Sequence, residues 1–242
     1  MKENNIELSL VIACYNEEEI IEETLPRLKN FLDLTNIKYE LIIIDDKSKD
    51  RTVDLVNKII KDHKNTKFVV HKNNTGRGGV IKEGINLASG KYVGFIDIDL
   101  EVPEHYIFPA IILLRKKNDV VIARRFYKIK PSALLRWFTG TGYVALMRNI
   151  IKLKFTDTEA GFKFFNREKI LPVLKLTENN HWFWDTEIVA MSYFNKLKIA
   201  ELPVVFIRRE DKTSTVKLFS DTYKYFISLM KFRKRLKKLG YI

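Results

Sequence analysis

Three carboxylates stand at every second position in "FIDIDLEVP": Asp97, Asp99 and Glu101. On an extended segment the two-residue period turns all three to one side. Carboxylates that close repel one another unless a cation lies between them. Hard oxygen ligands in this number suit Mg2+ or Mn2+ held jointly with substrate phosphates. Asp46 closes another apolar run, "YELIIIDD", and could accept a hydrogen bond from a nucleobase N–H or a ribose hydroxyl. Asn16 and Glu17 follow the run "ELSLVIAC"; they could orient a nucleotide or cap the next helix. Arg77 lies in the glycine-rich stretch "NTGRGG", either a phosphate cradle or an ordinary loop. Arg124 and Arg125 end the run "DVVIARR". Asp157 in "TDTEAGF", and Asp185 and Glu187 in "WFWDTE", sit in apolar and aromatic surroundings. Burial would raise their pKa values unless a cation or hydrogen-bond donors compensate. His63, His71, His105 and His181 have no metal-ligand spacing, and no Ser/His/Asp or Cys/His set assembles.

These residues fall at the ends of apolar runs, so strands must position them. Residues 7–13, 39–46, 67–72, 91–99 and 119–125 read as strands. The first two are apolar almost throughout, as in a sheet buried on both faces. Between them, 17–33, 48–63, 78–90 and 103–117 carry helical spacing, with Ser48 or Asp50 as a cap of the second. The alternation predicts an α/β fold with a mostly parallel central sheet flanked by helices. Ligands of such sheets bind beyond the carboxyl ends of the strands, where the polar clusters lie. The first turn, "ACYNEEE", lacks G-x-G-x-x-G, which argues against a dinucleotide cofactor. Beyond residue 125 the pattern changes. Amphipathic helices are expected over about 131–153 and 219–239, a helix near 183–195, and a strand-like segment over 198–209. No linker or repeat divides the chain, so a single domain over 1–242 is expected. About 1–125 would form its nucleotide and metal half and about 126–242 its second half.

The chain of 242 residues is 46% hydrophobic, enough for a real core, and its net charge of +13 attracts polyanions. Nucleic acid is not the expected partner: no nucleic-acid motif occurs, and the positive charge would have to cross the Asp-rich strand ends. A lone cysteine, Cys14, excludes an internal disulfide and fits a reducing compartment. No run approaches the roughly 18 apolar residues of a membrane span, and the N-terminus does not read as a signal peptide.

"SLVIACYNEEEIIEETL", "ELIIIDDKSKDRTVDLV", "NNTGRGGVIKEGINLASGKYVGFIDIDLEVP" and "VVIARRF" resemble, in order and spacing, the inverting glycosyltransferases of family two with the GT-A fold. "DTEAGFKFFNRE", "WFWDTEIVA", "IAELPVVF" and the basic C-terminal helix resemble the dolichyl-phosphate and polyprenyl-phosphate hexose synthases. The resemblance spans about residues 6–235. It implies a nucleotide sugar donor, UDP-glucose or GDP-mannose, and a polyprenyl or dolichyl phosphate acceptor. By the family pattern Ala13, Tyr15, Asn16, Glu17 and Asp46 would hold the nucleoside, with Arg77 and Asp97 on the donor. Asp97, Asp99 and Glu101 would hold Mg2+ or Mn2+. Arg125 would meet the acceptor phosphate and Asp157 would stand beside it, with Asp99, Arg125 and Asp157 as the catalytic set. The chain departs from the pattern at Ala13, where proline is frequent, at Arg124, where a small residue is usual, and at "DKTSTVKL". There Lys212, Ser214 and Thr215 stand as acceptor-phosphate contacts in place of a G-x-S-K-like loop.

A phosphate acceptor is already ionised near neutral pH, so the chemistry needs charge stabilisation of the leaving diphosphate more than a base. A saccharide or protein hydroxyl, the alternative acceptor, would require a base, with Asp157 the candidate. Helices with aromatic and aliphatic residues beside cations suit a membrane interface, and the expected location is the cytoplasmic face, held peripherally.

Overall fold

The computed structural model describes residues 6–127, 150–209 and 218–242; the side chains of 127 and of 218–222 are not described. Seven strands form one sheet: β1 (Leu8–Cys14), β2 (Tyr39–Asp45), β3 (Thr66–Val70), β4 (Tyr92–Ile96), β5 (Val120–Tyr127), β6 (Phe162–Asn166) and β7 (Ile199–Phe206), in the order β3-β2-β1-β4-β6-β5-β7. β3, β2, β1 and β4 run parallel. β6 runs antiparallel between β4 and β5, and β7 is parallel to β5.

Alternating side chains build a core on each face, as the pleat requires. Leu10, Ile12, Leu41 and Ile43 point to one side, where α1 (Ile21–Asp33), α2 (Thr52–Ile60) and α4 (Ile107–Arg115) pack. Val11, Ile42, Ile44, Val93 and Phe95 point to the other. There they meet α3 (Arg77–Leu87), α5 (Arg167–Leu174), α6 (Trp184–Phe194) and α7 (Leu218–Lys238). Burial on both faces explains why β1 and β2 carry nearly unbroken apolar runs.

The first five strands lie where the sequence puts them. The helix expected over 103–117 splits into a 3-10 turn, Glu104–Tyr106, and α4. α2 begins only at Thr52. Asp50 Oδ1 accepts from Thr52 N at 3.0 Å, while the Ser48 hydroxyl turns to Asp45. β6 has no counterpart among the expected strands. It matters because its start, Phe162, pairs with Ile96 and so brings residues 157–161 against the end of β4. The expected helix over 131–153 lies almost wholly outside the described residues, as do Lys212, Ser214 and Thr215.

Candidate active site

The carboxyl ends of β1, β2, β4 and β5 form one rim, with the start of β6 set between the last two. At its centre is a quartet of charges, three of them largely buried and the fourth, Asp97, partly exposed. Arg77, the first residue of α3, donates from Nε (3.1 Å) and Nη2 (2.7 Å) to Asp97 Oδ1, and from Nη1 to Asp185 Oδ2. Lys163 of β6, fully buried, donates to Asp185 Oδ1 and to the Ala160 carbonyl, each at 2.6 Å. Two cations thus face two carboxylates, the form in which buried charge is tolerated. Burial acts to lower the Arg77 pKa, but Asp185 and Asp97 outweigh it and hold the guanidinium charged. For Lys163 burial wins and the ammonium is pulled below its ordinary range against the pull of Asp185. Aromatic rings close the quartet. The Arg77 guanidinium lies 5.3 Å from the Phe95 ring and 5.5 Å from that of Trp182, which is 47% exposed at the mouth.

The glycine-rich segment before α3 is pinned by Asp46. Its Oδ1 accepts from Thr75 N (2.8 Å), Thr75 Oγ1 (3.0 Å) and His71 Nδ1 (2.8 Å), and its Oδ2 from Gly76 N (2.9 Å). Burial would raise the Asp46 carboxyl, yet these donors hold it below the ordinary range. Gly76 has φ 84, and a side chain there would run into His181 and the Asn180 carbonyl. Asn180 in turn accepts from Gly79 N at 3.0 Å, so the loop bearing Trp182 lies directly against the start of α3.

On the β5 side Asp157 and Arg125 form a bidentate pair. Arg125 Nε and Nη2 donate to the two carboxylate oxygens at 2.8 Å, and Arg125 N adds a third bond at 2.9 Å. Burial pushes the Asp157 carboxyl up, but Arg125 overrides it and keeps the group below its usual range. Glu159 lies close by. Its side chain is exposed at the rim. Lost hydration there pushes its carboxyl up to about 7; Asp157 and Asp185 add to the shift, and Arg125 and Lys163 oppose it.

The structure brings Asp46, Arg77, Asp97, Arg125 and Asp157 to this rim. At the end of β1, Ala13 is partly buried and Tyr15 is 38% exposed. Asn16, with φ 55, accepts from Lys49 N at 2.8 Å, and Glu17 N donates to Thr52 Oγ1 at 2.8 Å. Both therefore tie the first turn to the start of α2.

The three carboxylates of "DIDLE" do not share one side of a strand. β4 ends at Ile96. Leu100 N bonds back to Asp97 O at 3.1 Å, and Leu100 takes φ 54, so the chain turns. The alternation survives only in burial: Ile98, Leu100 and Val102 are buried and pull the backbone inward between the acids. Glu101 instead accepts from Arg209 N at 3.1 Å. Among the described residues no three His, Cys, Asp or Glu side chains converge as a metal-holding group. The donor chemistry nonetheless fits Mg2+ or Mn2+. Asp97 and Asp99 are partly exposed carboxylates, and a site completed by phosphate oxygens needs only one or two from the protein.

Lys163, His71, Glu159 and Trp182 were not among the expected site residues. The signal for Lys163 was a lysine inside "FKFF", visible only once that stretch is read as a buried strand.

Comparison with known proteins identifies the family and the fold. The family model described as Glycosyl transferase family 2 matches residues 9–171. A dolichyl-phosphate beta-glucosyltransferase of Dictyostelium discoideum is 30% identical over 217 residues, covering 83% of this chain and 66% of that protein. The enzyme of the same description from Saccharomyces cerevisiae is 26% identical over 226 residues, covering 84% and 67%. Glycosyltransferase AglD of Haloferax volcanii is 26% identical over 206 residues, covering 82% and 33%. The chain thus spans from a third to two thirds of the length of these relatives. Glucosyl-3-phosphoglycerate synthase of Mycobacterium tuberculosis, solved with Mn2+, UDP and glucosyl-3-phosphoglycerate, superposes with a TM-score of 0.70 at 18% identity, covering 94% and 80%. The shared architecture is the GT-A glycosyltransferase fold.

Proposed function

The chain belongs to glycosyltransferase family 2, and from that premise we propose that it moves a glucosyl group from UDP-glucose to a polyprenyl or dolichyl phosphate at the cytoplasmic surface of a membrane. The observation that carries this reading is the Arg125–Asp157 pair. A carboxylate held ionised by three bonds from one arginine is a poor proton acceptor. A lipid phosphate does not need one. Its ionised oxygen attacks the sugar C1 in line as the bond from C1 to the diphosphate oxygen breaks, and the nucleoside diphosphate leaves with the electron pair. Asp157 aims the Arg125 guanidinium, whose planar fork suits a phosphate. Arg77, held between Asp97 and Asp185, would meet the donor's diphosphate. A divalent cation held by Asp97 and Asp99 would neutralise charge developing on the leaving group.

The names of the relatives favour glucose and dolichyl phosphate. Asp46 favours uridine over guanosine. Its Oδ1 already takes three donors and its Oδ2 one, which suits the single N–H of a uracil edge better than the paired donors of guanine. Membrane contact is supported by α7. Leu229, Phe232 and Leu236 pack on the core, yet Tyr223, Phe226 and Met230 stay exposed beside Lys231, Lys234, Lys237 and Lys238. Among the described residues no helix is long and apolar enough to cross a membrane, so contact would be interfacial.

The test supplies Mg2+ or Mn2+, a short polyprenyl phosphate, and UDP-glucose or GDP-mannose in separate reactions, with sugar counted in the organic phase. Metal-dependent transfer from UDP-glucose, lost in Asp99→Ala, is the expected result. UDP release that requires a saccharide and leaves no lipid product would overturn it. A hydroxyl acceptor is the second reading; it needs a base, and Glu159, an exposed carboxyl two residues from Asp157, is a group placed to serve, since Asp157 is tied to Arg125.

A further inference from the structure

His71 touches neither the quartet nor the Arg125 pair, yet its ring is built into the wall behind them. The side chain is 9% exposed. Nδ1 lies 2.8 Å from Asp46 Oδ1 and Nε2 lies 2.9 Å from Glu83 Oε2. A neutral imidazole carries one N–H and can donate to one of two carboxylates. Only the imidazolium donates to both. The groups that face the ring are Asp46 from the end of β2, Glu83 from α3 and the Thr75 hydroxyl, 3.3 Å from Nδ1. Burial opposes the charge, and the bonds from Asp46 and Glu83 outweigh it, so the ring holds its proton above the ordinary histidine range.

What the ring holds is the anchor of the glycine-rich segment. Asp46 takes the amides of Thr75 and Gly76, Asn74 Nδ2 donates to the Asp46 carbonyl at 3.1 Å, and Arg77 follows at once. We infer that His71 is a proton-dependent positioning residue: as an imidazolium it bridges Asp46 to Glu83, fixes residues 74–77, and thereby strengthens the grip on a nucleoside diphosphate. The link to the ligand rests on the donor reading above; the clamp on the segment does not.

Two measurements on the full chain separate the two parts. NMR follows the His71 ring and the amide exchange of Thr75 and Gly76 from pH 6 to 9 without ligand. Calorimetry follows UDP affinity over the same range in the native protein and in His71→Gln. The diphosphate's own titration is common to both proteins and cancels in the ratio of their dissociation constants. The expected result is a fall in the protection of the Thr75 and Gly76 amides as the ring deprotonates, present in the native protein and absent in His71→Gln, so that the hydroxide catalysis common to all amides cancels. The affinity advantage of the native protein should shrink roughly three- to tenfold across the same transition, the scale of one ordinary hydrogen bond. Glu83→Gln should move the midpoint to lower pH. Amide exchange indifferent to the ring's proton would overturn the clamp. A constant affinity ratio beside a working clamp would overturn the link to the ligand. Absence of UDP binding at every pH would overturn the donor reading and that link together, while the exchange data still decide the clamp.

Discussion

Arg77 holds Asp97 by a single carboxylate oxygen: Nε at 3.1 Å and Nη2 at 2.7 Å both reach Oδ1. The other oxygen, Oδ2, lies against Gly161, where a Cβ would collide with it. The same two segments are bonded through their backbones, Asp97 N to Gly161 O at 2.9 Å. The first acid of "DID" is therefore fixed by an arginine on one side and by a missing side chain on the other. Gly161→Ala should drive the Asp97 carboxylate off Arg77. Repacking around one methyl costs about 1 to 3 kcal/mol, whereas a catalytic group misplaced by an ångström costs about a hundredfold in rate. Turnover should therefore collapse while the thermal midpoint falls only modestly. Turnover near the native rate would show that the Arg77–Asp97 contact is dispensable.

Asp157 and Arg125 make a prediction about acid stability. The folded carboxyl sits below its ordinary value of 3.8, with Arg125 outweighing burial. A lowered folded pKa adds stability that is complete above the unfolded value and is lost as pH falls through the folded one. Asp157→Asn should therefore destabilise the protein near neutral pH, by about 2 to 4 kcal/mol because it strands a mostly buried guanidinium. The deficit should begin to narrow below about pH 4, where the unfolded chain takes up the proton, and close only as pH falls through the lower folded value. Denaturant titrations at pH 7 and pH 3.5 give the comparison. An equal deficit at both would remove the ion pair as its cause.

Glu159 has the opposite sign. Its carboxyl is raised from 4.5 to about 7, chiefly by lost hydration, with Asp157 and Asp185 adding. The unfolded chain then loses this proton at lower pH than the folded one, so the native protein loses stability between about pH 4.5 and 7. Glu159→Gln removes that loss. The variant should gain on the native protein across this window and hold a constant difference above it, as read from thermal midpoints at half-unit steps. A difference that is flat from pH 4 to 8 would mean that the carboxyl titrates normally.

The sequence made the scaffold of this site legible and left its interior hidden, for physical reasons. Strands buried on both faces write themselves as apolar runs, so β1, β2, β4 and β5 and the polar residues at their ends could be placed from "LSLVIAC", "YELIIID", "YVGFI" and "VVIAR". β6 could not. "FKFFN" buries Lys163, and a charge inside a strand reads as solvent exposure until its partner is known. That partner, Asp185, lies on α6 at the end of "WFWD", so the quartet draws on four segments separated in sequence. The turn after Ile96 was hidden for a different reason. Acids alternating with apolar residues look the same in a strand and in a turn whose apolar members point inward, and only backbone angles tell the two apart.

α7 presents a surface whose charge can be counted. Phe226 and Met230 follow Tyr223 at spacings of three and four, which puts them on one stripe; at 68%, 43% and 39% exposed they lie outside the core face of Leu229, Phe232 and Leu236. Lys231, Lys234, Lys237 and Lys238 stand exposed on the same helix. If this face meets an anionic bilayer, each lysine contributes about 1 kcal/mol near the surface at physiological salt, roughly a fivefold change in partition. Replacing all four by glutamine should lower partition onto phosphatidylserine vesicles by about three orders of magnitude, and raising the salt should weaken partition of the native protein in the same direction. Phe226→Ser with Met230→Ser should weaken partition in a salt-independent way, because the area lost is apolar. Sedimentation with vesicles of graded phosphatidylserine content separates the two contributions. Undiminished binding by the quadruple variant would mean that α7 is not the face that meets the lipid.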